Sequence, residues 1–277
     1  MKNIKLYYFI KKPNFGDMLN VDLVECLAGR KVEWASPKTC HCVCIGSLME
    51  GMLRRKISLM SRILRFIKPK VFIWGTGFIE LEKTKLLKPR RKYTVRAVRG
   101  KYTQERLGRY LRQDMKDVVL GDPGLLANRL IDTTKIKKKY KLGIIPHYVD
   151  KASSLLKNIQ VENSIIIDIQ QKPEIVLKQI AECENIISSA MHGLIAADSL
   201  GIPNIRMILS DKIWGGDYKF RDYYSAFDME PPQACILSAE TVITDIKFIR
   251  QQYQIKPEQV EKICQNLLQV FPYKKRI

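Results

Sequence analysis

The sequence lacks the long hydrophobic run that a secretory signal peptide or a membrane-spanning helix requires near its start. The opening stretch, MKNIKLYYFIKKPNFGD, has a short apolar segment, after which lysines resume. Neither a signal peptide nor a transmembrane span is therefore expected there. The sequence also lacks low-complexity segments and repeats of a fixed period, and 46% of its residues are hydrophobic. That content is ordinary for a folded protein and excludes intrinsic disorder.

Two common cofactor patterns are also missing. Cys40, Cys42 and Cys44 alternate in the segment CHCVC, without the two-residue gap or the second cysteine pair of a zinc knuckle. Alternating side chains share one face of a strand, and free cysteine packs as a small hydrophobe, so a buried strand is predicted here. The segment WGTGF, at residues 74–78, is too short for the dinucleotide fingerprint Gly-x-Gly-x-x-Gly. We expect no metal and no cofactor.

Acidic residues are scarce relative to basic ones. The chain has 48 Lys and Arg residues and 28 Asp and Glu residues, which gives a net charge of +20. Such an excess attracts nucleic acid, an acidic membrane surface or phosphorylated substrates, although it also serves solubility alone. The chain has seven cysteines, an odd number, and no leader is expected. Both observations favour a location in the reducing cytoplasm.

Short apolar segments rich in β-formers alternate with helical patterns along the whole chain. A lysine-rich stretch, TTKIKKKYK, divides this alternation into two halves. The pattern predicts two α/β domains with parallel sheets, at residues 1–134 and 140–277. The final helical pattern, PEQVEKICQNLLQVF, is a candidate to cross back onto the first domain.

The polar residues and glycines of interest all lie where a predicted strand ends. Because ligands of parallel sheets bind beyond the carboxyl ends of the strands, we expect these residues to meet in a cleft between two sheet edges. The glycines would let a ligand or the other domain approach closely. The set comprises Asn14–Asp17, Gly75–Gly77, Arg99, Asp122, His147 and Ser188–His192.

His192 is the central candidate for catalysis. It lies in SSAMHGLIAADSLG, where a strand ends and a helix begins near Met191. Ser188 or Ser189 would cap that helix and leave its first N–H groups free to bind an anion. The positive helix end would keep His192 neutral until a phosphate dianion raises its pKa and makes it a general acid. The alternative is a capping or packing histidine.

Three other charged residues each have two interpretations. Arg99 can bind a carboxylate or phosphate through its forked guanidinium, or it can be a surface arginine. Asp17 is a candidate base for a sugar hydroxyl, or a cap for a helix that starts at Met18. Lys219 follows a glycine pair in a predicted flexible loop, where it is either an anion ligand or a solvated lysine.

The segment 52–68 combines an apolar stripe with a cationic face. This pattern is typical of a helix that lies on an anionic membrane surface. It is equally typical of an amphipathic helix packed on its own sheet.

Seven segments together resemble the polysaccharide pyruvyltransferase family, in the family's order and over nearly the whole chain. The serine-serine-x-x-His-Gly block and the Pro-His-Tyr block are the most specific. The segments are NFGD (14–17), WGTGF (74–78), RAVRGKYTQERLG (96–108), LGDPGLL (120–126), IIPHYVD (144–150), SSAMHGLIAADSLGIP (188–203) and KFRDYY (219–224).

The resemblance implies two Rossmann-like domains facing across a cleft, in the B-type glycosyltransferase architecture. It implies transfer of the enolpyruvyl group of phosphoenolpyruvate to a sugar as a pyruvate ketal, in the biosynthesis of exopolysaccharide or capsule for the cell envelope. The acceptor would be a glycan carried on a polyprenyl phosphate. The enzyme would be cytoplasmic and peripheral on the inner face of the plasma membrane, in contact through 52–68.

Two other functions are open. A sugar-nucleotide glycosyltransferase of the same fold is the main alternative, because the fold does not determine the reaction. A binder of nucleic acid or another anionic polymer is less favoured, since the basic residues are spread along the chain and no nucleic-acid motif is present.

The resemblance also implies roles for residues, which complete the predicted site. His192 matches the family's acid or donor-binding histidine, and Ala190 stands where many members have arginine, so the donor's anion is expected on groups such as Arg99, Lys219 or Arg221. The predicted catalytic residues are His192 and Asp17. Donor-binding residues are Arg99, Lys219, Ser188, Ser189, His147 and Gly193, and acceptor-binding residues are Asn14, Gly75, Thr76, Gly77 and Asp122.

Overall fold

The computed structural model of the protein describes residues 2–12, 14–53, 70–81 and 91–273. Strands and helices alternate through these residues. The strands are β1 (Ile4–Tyr7), β2 (Val32–Trp34), β3 (Cys42–Val43), β4 (Val71–Trp74), β5 (Tyr93–Val98), β6 (Val119–Leu120), β7 (Leu142–Ile145), β8 (Ser164–Ile166), β9 (Ile186–Ser188), β10 (Asn204–Ile208) and β11 (Cys235–Ile236). The α-helices are α1 (Phe15–Ala28), α2 (Met49–Leu53), α3 (Lys101–Leu111), α4 (Pro173–Ala181), α5 (Met191–Ser199), α6 (Tyr218–Ser225), α7 (Lys247–Gln252) and α8 (Pro257–Gln269), and two 3-10 helices span Pro123–Leu130 and Ser154–Asn158.

The strands form two parallel sheets. The first has six strands in the order β2-β1-β3-β4-β5-β6, and the second has five in the order β11-β10-β9-β7-β8. Numbered within its own half, each sheet begins at one edge with its second, first, third, fourth and fifth strands in that order, and the first sheet adds its sixth strand at the other edge. The order therefore reverses between β1 and β3 in one sheet and between β7 and β9 in the other. Such switch points open a crevice beyond the carboxyl ends of the strands. The predicted α/β class with two parallel sheets is confirmed.

Helix α1 begins directly after the loop that follows β1. The side chain of Asn14 accepts a hydrogen bond from the backbone N–H of Asp17, and Gly29, with φ of 60°, ends the helix in the left-handed conformation. The alternative in which Asp17 caps a helix starting at Met18 is wrong, because the helix begins at Phe15 and Asn14 is the cap. The carboxylate of Asp17 is thereby available for another role.

The two sheets share one hydrophobic core. Helices α1 and α5 both pack against the 3-10 helix Pro123–Leu130, which follows the first sheet. Leu23, Leu126 and Ile195, one from each of these helices, belong to a single buried cluster. The halves are thus joined by packed hydrocarbon as well as by the lysine-rich connection. The domain limits at residues 134 and 140 stay a prediction.

Helix α8 packs against elements of the first sheet, although it follows the second sheet in sequence. The indole N–H of Trp74, in β4, donates to the carbonyl of Leu267 at 2.9 Å. The rings of Trp74 and Phe271 lie 4.7 Å apart between centroids. The thiol of Cys264 donates to the carbonyl of Leu125 at 3.3 Å. These contacts bury the apolar stripe of α8.

The three alternating cysteines are all buried, but the strand that contains them is only two residues long. Cys42 and Cys44 lie on the same side, with their sulfur atoms 3.4 Å apart. Cys40 lies before the strand and packs in a different apolar cluster, where its carbonyl accepts from Arg91. The expectation that all three share one strand face is therefore wrong for Cys40.

None of the helices within the described ranges is long and apolar enough to cross a membrane. The predicted membrane-binding segment 52–68 lies outside the described residues except for Met52 and Leu53, which are buried at the end of α2. Contact of this segment with a membrane stays a prediction.

Gly75 and Gly201 provide a test of how tightly the loop after β4 is packed. Both have positive φ, +87° and +65°, but a Cβ on Gly75 would lie 2.1 Å from the Pro123 ring, whereas one on Gly201 meets nothing within 4 Å. Gly201→Ala should lower the free energy of unfolding by about 1–2 kcal/mol through backbone strain alone. Gly75→Ala should lower it by about 1–3 kcal/mol more, because the proline must move.

Urea denaturation of both variants measures this difference. Equal losses for the two glycines would mean that the loop after β4 adapts freely. In that case Gly75 would not be a packing residue.

Candidate active site

A cavity of about 410 Å³ lies between the switch points of the two sheets. Its walls come from the segments that follow β1 and β3 in the first sheet and β7 and β9 in the second, which is where the strand-end argument predicts a site. The segment after β10 and single residues after β4 and β8, Ile79 and Ile169, complete it. The polar and charged lining residues are Tyr7, Asn14, Asp17, Ser47, Glu50, His147, Tyr148, His192, Lys212, Trp214 and Lys219.

His192 lies in the first turn of α5 and lines this cavity. One edge of its ring meets the first turn of α1, since a Cβ on Gly16 would lie 2.0 Å from Nδ1. Its Nε2 is buried, and nothing in the described part of the chain hydrogen-bonds to it. A buried nitrogen without a partner is unfavourable in a native structure and calls for an explanation. A substrate group at this position would satisfy it.

Burial lowers the pKa of His192 to about 3, and the nearby cations Arg99 and Lys219, followed by His147, lower it further. The imidazole is therefore neutral at pH 7. The sequence predicted the same direction from the positive end of a helix, but the main cause is the cost of burying an imidazolium. An anion bound beside the ring would offset this cost and raise the pKa.

The serines before His192 shape the backbone and do not cap the helix. The N-cap of α5 is Ala190, which makes no side-chain capping bond, so the expectation of a Ser188 or Ser189 cap is wrong. The Ser188 hydroxyl donates to the carbonyl of Ile145 at 3.0 Å, and the Ser189 hydroxyl accepts from the backbone N–H of His147 at 2.8 Å. Both serines tie the ends of β7 and β9 together.

Lys219 is the buried cation of the cavity. It lies in the first turn of α6 and not in a flexible loop as predicted, because Gly215 and Gly216 form the turn just before the helix. Its ammonium donates to the carbonyl of Trp214 at 3.4 Å. Burial and the charges of Arg99 and Arg206 lower its pKa to about 8, so it is mostly charged at pH 7. A charged amine at this depth provides a binding point for an anion.

His147 follows β7 and forms part of the same wall. Its Nδ1 accepts from the backbone N–H of Val149 at 3.4 Å, and its ring lies against Tyr148 with centroids 4.3 Å apart. Burial and the charge of Lys219 lower its pKa to about 4, while Asp150 opposes this shift. His147 is therefore a second neutral imidazole in the cavity.

Asp17 provides the carboxyl group with the most altered titration in the cavity wall. Burial raises its pKa to about 7, although a hydrogen bond from the amide of Asn14 opposes the shift. At neutral pH the group therefore exchanges between both protonation states, which suits a general base. The structure brings Asn14, Asp17, His147, His192 and Lys219 to one cavity.

Arg99 lies behind the cavity wall, where it is fully buried. Its Nε donates to Asp222 at 2.8 Å, its Nη1 to the Ser47 hydroxyl at 2.8 Å and its Nη2 to the carbonyl of Phe78. Its positive charge lowers the pKa of His192. Its hydrogen bond to Ser47 connects it to a residue of the cavity lining. Direct binding of a donor by Arg99 stays a prediction, and this placement assigns it a positioning role. Arg221, the other proposed cation, is exposed and pairs with Glu230.

The remaining predicted residues lie outside the cavity lining and contact other parts of the protein, and their part in binding stays a prediction. Gly75 meets Pro123, and Gly77 meets the guanidinium of Arg99. Thr76 donates to the carbonyl of Gly46 at 2.6 Å. Asp122 caps a 3-10 helix by accepting from Gly124 at 2.9 Å. The full set outside the lining is Arg99, Ser188, Ser189, Gly193, Gly75, Thr76, Gly77 and Asp122.

Several lining residues were missed by the sequence analysis, and four polar or charged ones among them follow β3 or β10. Ser47 and Glu50 come after β3, in CIGSLME. The strand-end argument would have found these two residues, but it was not extended to this segment. Lys212 and Trp214 come after β10, in LSDKIWGG. Within the ranges that the structure describes, His, Cys, Asp and Glu side chains form no cluster of three that could hold a metal ion.

The arrangement can bind an anion and move protons. Lys219 provides positive charge, His192 a neutral imidazole whose Nε2 has no partner within the described residues, and Asp17 a carboxyl group that titrates near pH 7. An anion that pairs with Lys219 would raise the proton affinity of His192 at the same time.

Comparisons with solved structures give distant likenesses of low score. A protein of Klebsiella pneumoniae, KP1_0663, aligns over 86% of this chain and 94% of its own, at 15% identity and a TM-score of 0.46. The wall teichoic acid polymerase TagF aligns over 98% of this chain and 85% of its own, at 10% identity and a TM-score of 0.46.

Sequence comparisons are more specific. Protein L143 of Acanthamoeba polyphaga mimivirus is 34% identical over 84% of this chain and 77% of its own length. The succinoglycan biosynthesis protein ExoV of Rhizobium meliloti is 24% identical over 93% of this chain and 77% of its own length. The family model for polysaccharide pyruvyl transferase matches residues 6–211. The resemblance found in the motifs is thus confirmed, and the chain belongs to the polysaccharide pyruvyl transferase family, as a transferase of polysaccharide biosynthesis.

Proposed function

We propose that the protein transfers the enolpyruvyl group of phosphoenolpyruvate to a sugar of a glycan and closes a pyruvate ketal on two of its hydroxyls. The observation that carries the proposal is the buried Nε2 of a neutral His192, which no group in the described part of the chain satisfies, in a cavity that also holds the charged Lys219. A proton donor that becomes active only when an anion arrives suits an anionic donor substrate.

Phosphoenolpyruvate carries about three negative charges near neutral pH, so it suits a cavity with buried positive charge. Lys219 pairs with the phosphate or the carboxylate, and Lys212 at the wall adds a second cation. Together they replace the arginine that many members have at the position of Ala190. The donor's charge raises the pKa of His192 from about 3, and the ring takes up a proton.

The chemical steps follow from these placements. Protonated His192 gives its proton to the CH₂ carbon of the enol, and the electron pair of the double bond forms the new C–H bond. The adjacent carbon becomes electron-deficient, and a sugar hydroxyl adds to it while Asp17 takes the hydroxyl proton. The bond from this carbon to the phosphate oxygen then breaks, and phosphate leaves with the electron pair. A second hydroxyl adds and closes the ketal, and its proton leaves with the phosphate.

Arg99 contributes to this chemistry by positioning. Its ion pair with Asp222 holds α6, the helix that carries Lys219, and its bond to Ser47 fixes the cavity wall. His147 lies beside Lys219 and is assigned to the donor side, with a neutral ring that accepts a hydrogen bond from a protonated donor oxygen or donates one to an ionised oxygen.

We assign the acceptor to the part of the lining that Asn14 and the aromatic side chains provide. We assign it as a glycan carried on a polyprenyl phosphate in the making of a cell-surface polysaccharide, with the enzyme at the cytoplasmic face of the membrane. The net charge of +20 supports this assignment, because anionic lipids attract such a chain.

Donor identity is tested by thermal stability. A ligand at 100 times its dissociation constant stabilises the folded state by about 2.7 kcal/mol, so phosphoenolpyruvate should raise the melting temperature. Lys219→Met should abolish the shift because the buried cation is lost. Lys116→Met, which removes an exposed lysine elsewhere, should leave it intact. Stabilisation by nucleotide sugars in place of phosphoenolpyruvate would favour the glycosyltransferase alternative.

The role of His192 is tested by product mass. Incubation with phosphoenolpyruvate and candidate lipid-linked sugars should add one pyruvyl ketal to the acceptor, and His192→Ala should abolish this product while leaving the circular dichroism spectrum unchanged. Unchanged turnover in this variant would show that another group supplies the proton.

The pH profile of kcat/KM tests Asp17 and Lys219. Asp17 acts as a base only when ionised, so activity should rise through about pH 7 and fall above about pH 8 as Lys219 loses its charge. Asp17→Asn should remove the rising limb and lower kcat by about 10²–10⁴-fold. Asp22→Asn, an exposed position of the same helix, should leave the profile unchanged.

The same substitution has a predicted effect on stability. Because folding raises the pKa of Asp17 to about 7, the free energy of unfolding should fall as pH rises from about 4 to 7. Asp17→Asn should make this decline smaller and be more stable than the natural chain at pH 8, while Asp122 and Asp198, whose pKa values burial also raises, keep part of the decline. A less stable variant at pH 8 would contradict the assignment of the raised pKa to burial.

A further inference from the structure

Trp214 is an exposed aromatic residue at the wall of the catalytic cavity. It follows β10, lines the cavity together with Lys212 and Ile213, and has 58% of its surface exposed. Aromatic side chains at the wall of a cavity are typical of ligand-binding sites. The sequence analysis and the family motifs gave this residue no role.

The segment that carries Trp214 reaches from the second sheet to the first. The indole Nε1 donates to the carboxylate of Glu80 at 3.2 Å. The next residue, Gly215, has φ of +90°, and a Cβ there would lie 2.2 Å from the carbonyl oxygen of Ile79. The edge of the indole and the backbone beside it are therefore both held against the segment after β4.

That supporting segment is itself fixed. The backbone N–H of Ile79 donates to both carboxylate oxygens of Glu50 at 3.0 Å, and Arg106 donates to the carbonyl of Glu80 at 2.6 Å. Arg106 also lies over the ring of Phe78, 4.0 Å from its centroid. The position of Trp214 is thus set by a buried network, while most of its ring surface stays exposed.

We propose that Trp214 is the platform on which the acceptor sugar ring stacks. One face of a pyranose is a surface of C–H groups, and its hydroxyls project from the edge. Such a face packs on an aromatic ring, whose face is electron-rich, and leaves the hydroxyls free for hydrogen bonds and reaction. The ligand class is a hexopyranose unit of the glycan. The assignment deepens the proposed function, on which it rests for the reaction.

The platform lies directly beside the donor side of the cavity. The ammonium of Lys219 donates to the carbonyl of Trp214 itself at 3.4 Å. Both residues line the same cavity, so a sugar stacked on this ring would share that cavity with the cation that binds the donor.

Trp34 offers a matched control. The chain has three tryptophans; Trp74 is fully buried, whereas Trp34 is 42% exposed and its indole N–H donates to the carbonyl of Tyr8 at 3.0 Å. Trp34 resembles Trp214 in exposure and in its hydrogen bond, but it does not line the cavity.

Fluorescence titration measures sugar binding without turnover. Methyl glycosides of hexopyranoses should quench or shift tryptophan emission in the natural chain and in Trp34→Phe, and the change should be lost in Trp214→Phe. The absence of any change in the natural chain with the whole set, or its persistence in Trp214→Phe, overturns the proposal.

Kinetics separates the platform from the donor site. Trp214→Ala should raise the acceptor KM about tenfold, and Trp214→Phe, which keeps an aromatic face, by about threefold or less. The thermal shift with phosphoenolpyruvate should stay unchanged in both. An unchanged acceptor KM in Trp214→Ala overturns the platform. A failure of phosphoenolpyruvate to stabilise the natural chain, with glycoside quenching intact, overturns the donor assignment and leaves the platform standing.

Discussion

A fully buried ion pair between Arg99 and Asp222 holds the candidate site together. Arg99 directly follows β5 of the first sheet, and Asp222 lies in α6, between β10 and β11 of the second sheet. The carboxylate of Asp222 also accepts from the N–H and hydroxyl of Thr103, at 2.8 and 2.7 Å, so the buried charges are well satisfied. Removing one partner of such a pair costs about 3–5 kcal/mol, because the other is left buried and unpaired. The placement of Lys219, on the same helix as Asp222, depends on this contact.

The location of the site could be predicted from the sequence, but the full set of residues that form it could not. Asn14, Asp17, His147 and His192 follow strands that flank a switch point, and these residues do line the cavity. Gly75, Thr76 and Asp122 also follow strands, but β4 and β6 lie away from the switch point between β1 and β3. The alternation of apolar and helical segments gives the strands and not their order in the sheet, so the two groups of residues could not be separated.

Long-range pairing explains why the sequence did not reveal the buried ion pair of Arg99. A strand-end arginine in a basic chain suggests an anion ligand, and its actual partner lies 123 residues further along the chain. The pKa shifts of His192, Asp17 and Lys219 depend on burial in the same way. Their direction follows once the cavity is known, because each group is altered mainly by its removal from water. The position of His192 at the start of a helix predicted the correct direction of its pKa shift, but burial is the main cause of that shift.

The return of α8 to the first sheet limits how the molecule can admit its substrates. A hinge that swung the halves apart would pull the carbonyl of Leu267 from the Trp74 indole and expose the core shared by α1, α5 and the 3-10 helix between them. Wide clamshell motion is therefore disfavoured in this chain. Substrates are therefore admitted to a cavity whose two walls stay close together.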